Sequence, residues 1–135
     1  MYKNILVPVA FDADHDPSAA LAAAKVLADQ GGKVTLIHVL DAVPAYVAAQ
    51  VPKEVRIEAR DKIKHDLKEK ATIFPDAEIV VIDGHAGTAI VEYADDHDID
   101  LIVVASHRPG LQDYFLGSTA ARVVRHANCA VHVTR

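Results

Sequence analysis

Ile5-Leu6-Val7-Pro8-Val9 is apolar throughout and rich in β-branched residues. A strand with one wet face would alternate apolar and polar side chains, so a short unbroken apolar run predicts a parallel strand covered on both faces. Three more runs share this character: Val34-Thr35-Leu36-Ile37-His38-Val39, Ile79-Val80-Val81-Ile82 and Leu101-Ile102-Val103-Val104. The segment from Ala130 to Thr134 is the fifth strand candidate.

Helical patterns fill the intervals. Asp16 is placed as an N-cap with Pro17 at the first helical position, and an alanine-rich run follows from Ser18 to Ala28, closed by Gly31-Gly32. A second helix is expected from about Pro52 to Ile73, where Val55, Ala59, Ile63, Leu67 and Ala71 recur every four residues. A third spans roughly Thr88 to His97 with Ile90, Val91 and Ala94 on its apolar side, and a fourth runs from Ser118 through Val123 and Val124 to His126. Each parallel crossover needs a helix, so five strands alternating with four helices predict an α/β fold with one doubly wound parallel sheet. The connection from Asp41 to Val51 is irregular, and its Ala, Val, Pro and Tyr content predicts packing on itself or on a partner.

The 135 residues fit a single domain, 1–135. A net charge of -5 with 14 scattered basic residues lacks the concentrated positive field that a polyanion requires, which argues against nucleic acid. No apolar run approaches the roughly 20 residues that cross a bilayer, and Met1-Tyr2-Lys3-Asn4 leads directly into a strand, so a cytoplasmic protein without membrane insertion is expected. Cys129, the single cysteine, sits in an apolar run and reads as a packed strand residue.

Ligands of such sheets collect outside the carboxyl ends of the strands, where the strand order reverses. Two segments lie there: 10–16 after the first strand and 105–117 after the fourth. The second leads into the N-terminus of the last helix, which favours anions. Gly117 admits close backbone approach, Ser118 and Thr119 offer hydroxyl and N–H groups, and Arg108 is a candidate phosphate partner. On these residues alone, an anion site and an ordinary capped helix with a surface arginine are equally good readings.

The run Asp100-Leu101-Ile102-Val103-Val104-Ala105-Ser106-His107-Arg108, then Leu116-Gly117-Ser118 and Val123-Val124-Arg125-His126-Ala127, resembles the C-terminal signature of universal stress proteins. Lys3-Asn4-Ile5-Leu6-Val7-Pro8-Val9 is similar to that family's first strand, and Asp83-Gly84-His85-Ala86 to its third-strand exit. The resemblance covers essentially the whole chain. It implies strand order 3-2-1-4-5, dimerisation through the fifth strand, and ATP or AMP, with or without magnesium, bound by a glycine pattern after the fourth strand. Gly117 and Ser118 match the end of that pattern, Ala105 stands at its first glycine, the second glycine is deleted between His107 and Arg108, and Ala10 replaces the acid after the first strand. The short Ser106-His107-Arg108-Pro109 loop looks like a known subgroup of the family.

By that match, Ser106, His107, Arg108, Gly110, Gly117, Ser118 and Thr119 would hold phosphates, with Ala105 at the loop entrance. Pro8, Val9, Ala10, Val39 and Gly84 would line the adenine and ribose side. The implied function is a dimeric stress-response module that binds an adenine nucleotide, with no catalytic residue assigned and at most slow hydrolysis through a positioned water. The alternative is a dimeric interaction module that has lost its nucleotide along with the glycines.

Other constellations fit less well. Asp12-Ala13-Asp14-His15-Asp16 alternates like a calcium loop, yet Pro17 and Ala23 stand where glycine and glutamate are required. A phosphoacceptor receiver domain would need a lysine ending the fifth strand, and none is there. The eight histidines show no ligand-spaced pair. The final strand leaves an apolar edge, Val131-His132-Val133, uncovered, and two copies meeting about a twofold axis would satisfy both edges, which predicts a homodimer through Ala130 to Thr134.

Overall fold

The computed structural model describes residues 1–10, 17–106 and 116–134. Five parallel strands, β1 (Tyr2–Pro8), β2 (Ala28–Asp41), β3 (Glu78–Gly84), β4 (Leu101–Ala105) and β5 (Ala130–Thr134), form one sheet in the order β3-β2-β1-β4-β5. The helices are α1 (Ser18–Leu27), α2 (Ala45–Ala48), α3 (Lys53–Lys70), α4 (Ala86–Asp96) and α5 (Ser118–His126). The doubly wound α/β expectation holds. The extra helix, α2, is a single turn inside the irregular segment, and none of its residues is buried.

Strand alternation divides the interior into two apolar layers. Ile5, Val7, Val34, Leu36, Val81, Leu101 and Val103 face α1 and α3, meeting Ala20, Leu21, Ala24, Leu67 and Ala71. Leu6, Ile37, Ile102 and Val104 face the opposite way, onto Ile90 and Ala94 of α4 and Ala120 and Val123 of α5. Burial on both sides is why the strands read as unbroken apolar runs. Gly87 allows α4 and α5 to approach: a Cβ there would lie 2.7 to 3.2 Å from the Arg122 side chain.

Two boundaries depart from expectation. Gly31 and Gly32 do not close α1; it ends at Leu27, and both glycines lie within β2. The register slips there, since Tyr2 pairs with Ala28 but Asn4 pairs with Lys33, and a Cβ on Gly32 would come within 2.9 Å of the Asp29 carbonyl. The apolar stripe of α3 is likewise only half used. Leu67 and Ala71 are buried and Ile63 packs against them, but Val55 is 52% exposed. Arg60 explains the change: its Nη1 donates to the Val81 carbonyl at 3.0 Å and its Nη2 pairs with Asp83, both near the end of β3. Residues 53–59 therefore project past the carboxyl end of the sheet, where there is no strand to cover them.

The opposite end is tied by polar groups. The Asp100 carboxylate accepts from the backbone N–H of Lys3 at 2.8 Å and of Asn4 at 3.0 Å. The Asn4 amide nitrogen donates to the carbonyls of His97 and Asp98 at 2.9 and 3.1 Å.

Candidate functional site: the crevice between β1 and β4

Pro8 determines where the sheet opens. The N–H and C=O of one strand residue point to the same side, and successive residues alternate. Val9 N–H donates to the Ile37 carbonyl of β2 at 2.8 Å, so the nitrogen of Pro8 faces β4. Proline has no hydrogen to donate there. Consistently, the β1–β4 ladder comprises Ile5–Leu101 and Leu6–Ile102, whereas β4 stays paired with β5 as far as Ala105–Thr134. A crevice thus opens between β1 and β4 at the point where the strand order reverses, the position at which such sheets take ligands.

The second wall is the start of α5. Ser106, just past β4, is 3% exposed; its N–H donates to Thr134 at 2.8 Å, and its carbonyl accepts from Gly117 N–H at 2.5 Å. Gly117 is the N-cap of α5 and makes no side-chain cap bond. Helix geometry leaves the first N–H groups of α5 without intrahelical carbonyls, and no acidic residue lies in its first turn. The helices α1 and α4 also begin at this edge with no side-chain cap and no acid in the first turn. Three positive helix ends therefore lie along the carboxyl edge, α1 on one face of the sheet and α4 and α5 on the other, and each favours an anion.

The structure brings most of the expected residues to this edge. Pro8, Val9 and Ala10 form the β1 exit; Val9 is buried and Ala10 exposed. Val39 is half-buried on the neighbouring strand β2, two residues beyond the Ile37 partner of Pro8. Ala105 ends β4 with Ser106 just beyond it, and Gly117 caps α5, which begins with Ser118 and Thr119. Gly84 ends β3, two strand spacings from β1, or roughly 10 Å. Its φ of 146° suits only glycine and starts the turn into α4. His107, Arg108 and Gly110 lie outside the described residues. The sequence reading missed His38, whose Nδ1 lies 2.7 Å from the Val9 carbonyl; the pairing crosses two strands and has no local signature. Among the described residues, no cluster of His, Cys, Asp and Glu could hold a metal.

The family model of the universal stress proteins matches residues 1–135. The chain belongs to the universal stress protein family. A universal stress protein A homolog of Coxiella burnetii is 34% identical over 99% of this chain and 95% of its own. A solved universal stress protein in complex with cAMP is 24% identical, covers 99% of this chain and 97% of its own, and superposes with a TM-score of 0.68. One from Archaeoglobus fulgidus in complex with dAMP is 22% identical over 99% and 98% of the two chains, with a TM-score of 0.65. For this universal stress protein, no helix among the described residues is long and apolar enough to cross a membrane.

Proposed function

We propose that this chain binds an adenine nucleotide, AMP or ATP with or without magnesium, in the β1–β4 crevice and acts as a dimeric regulatory module. The observation that carries the reading is the early end of the β1–β4 ladder at Leu6–Ile102, together with the start of α5, which has no side-chain cap and is tied to the end of β4 through Gly117 and Ser106. In this reading Ser106, His107, Arg108, Gly110, Gly117, Ser118 and Thr119 hold the phosphates, in a short loop of the Ser-His-Arg-Pro subgroup. Pro8, Val9 and Val39 flank the base, Ala10 and Ala105 border it, and Gly84 reaches only the far end of a ligand lying along the edge. Relatives crystallised with cAMP and dAMP support the choice of adenine.

The dimer is supported by the unequal treatment of the sheet edges. Arg60 engages the β3 backbone at Val81, while β5, among the described residues, pairs only with β4 and exposes Ala130 and His132. An unprotected edge invites a second copy. Sedimentation at micromolar concentration is expected to show a dimer, and His132→Glu, by placing like charges across the twofold axis, is expected to shift it toward monomer.

Isothermal titration with AMP and ATP, with and without magnesium, tests the nucleotide reading. Micromolar binding is expected, and no binding at millimolar nucleotide overturns it. In that case the second reading, a protein-interaction module, gains support, because Val43 and Tyr46, in the segment that follows β2, are 57% and 72% exposed.

A further inference from the structure

The β1 exit is held on one side and released on the other. Pro8 withholds the donor that would pair it with β4. On the β2 side Val9 is held twice, through its N–H to the Ile37 carbonyl and through its carbonyl to His38. A carbonyl only accepts, so the proton in the 2.7 Å contact resides on Nδ1 of His38. Backbone pairing alone would continue the β1–β2 ladder with an N–H from β2; here a side chain reaches back along its own strand to take the Val9 carbonyl. The bond is partly buried, where the loss of a partner leaves the carbonyl unsatisfied.

We infer that His38 is a positioning residue for the crevice: its Nδ1–H holds the Val9 carbonyl against β2, and so keeps the β1 exit from swinging across to β4 and closing the ligand space. This deepens the nucleotide reading and rests on it. His38 touches no ligand in this scheme and acts through Val9 and Ala10. Without the clamp, the Val9–Ile37 bond is the remaining hydrogen bond from Val9 to β2 among the described residues.

The test compares wild type with His38→Phe, His38→Asn and His38→Gln. The side-chain nitrogen of asparagine occupies the place of Nδ1, whereas that of glutamine lies nearer the place of Nε2. Nitrogen NMR of the wild-type imidazole should show the proton on Nδ1, and the Val9 amide should exchange about fivefold faster in His38→Phe. AMP affinity should fall about fivefold or more in His38→Phe and His38→Gln, with His38→Asn restored to within about twofold of wild type. A proton on Nε2, or equal Val9 exchange and equal affinity in four folded proteins, overturns the inference. If wild type binds no AMP or ATP, the nucleotide reading and the affinity role of His38 fall together, while the NMR and exchange data still decide whether the clamp exists.

Discussion

Ser106 and Gly117 are joined directly: the N–H of the helix cap donates to the carbonyl of the residue that follows β4. This one bond ties the start of α5 to the end of β4. Gly117 has φ -59° and ψ 154°, a region open to every residue type, so its value does not lie in unusual backbone geometry. Gly117→Ala is expected to change stability by less than about 0.5 kcal/mol in urea titration. It should nevertheless weaken AMP binding by about fivefold or more, because a methyl group would stand where the proposed site brings phosphate to the backbone. Equal affinity would place the phosphate elsewhere. Gly117→Pro keeps φ but deletes the donor, and should cost about 1 kcal/mol of stability.

At the other end of the sheet, Asp100 satisfies two consecutive backbone N–H groups, those of Lys3 and Asn4. Bonds to a charged acceptor are stronger than neutral ones, and losing both acceptors leaves two strand donors unpaired. Asp100→Ala should lower stability by about 2 kcal/mol in urea denaturation while leaving AMP affinity unchanged. A parallel loss of affinity would mean that this end is coupled to the crevice.

The two halves of α3 should respond differently to substitution. Leu67 is fully buried, so Leu67→Ala should cost about 3 kcal/mol by leaving a cavity between helix and sheet. Val55 sits on the same stripe beyond the sheet, and Val55→Ser should stay within about 0.5 kcal/mol of wild type. Thermal or urea unfolding measures both; a large loss for Val55→Ser would show that the projecting turns pack on something.

Burial, with smaller contributions from Asp95 and Asp100, pushes the Cys129 thiol above its ordinary range. Its thiolate is therefore scarce near neutral pH, and iodoacetamide should modify native protein more slowly than urea-unfolded protein. The folded state holds this proton more tightly than the unfolded state. Its contribution to stability is present below the ordinary thiol pKa and is lost as pH rises through the raised folded value. Equal alkylation rates in the two states would show that the thiol is not shielded.

The centre of the fold was legible because its strands are covered on both faces: the unbroken apolar runs Ile5 to Val9 and Leu101 to Val104 fall on β1 and β4, with Val9 one residue past the end of β1. The early part of β2 was hidden because Gly31-Gly32 carries the signature of a helix stop, and only pairing with Tyr2 shows the segment as strand. The α3 stripe misled for a related reason. A four-residue repeat reports which side of a helix is apolar, not how far the sheet beneath it extends. The carboxyl-edge placement of Pro8, Val9, Gly117 and Ser118 was readable from topology. The roles of Pro8 and His38 were not, since one depends on which neighbour a nitrogen faces and the other on a contact 29 residues apart.

The Asp100 and Asn4 bonds lie at the amino end of the strands, while the crevice, the projecting α3 turns and the start of α5 lie at the carboxyl end. What makes the sheet durable and what is proposed to make it selective are thus kept about a strand's length apart. Mutations can redraw the ligand-facing rim, trading glycines or shortening a loop, while the anchoring end preserves the scaffold. Such a division of labour is a recipe for evolvability: one architecture can sample new specificities without first becoming unstable.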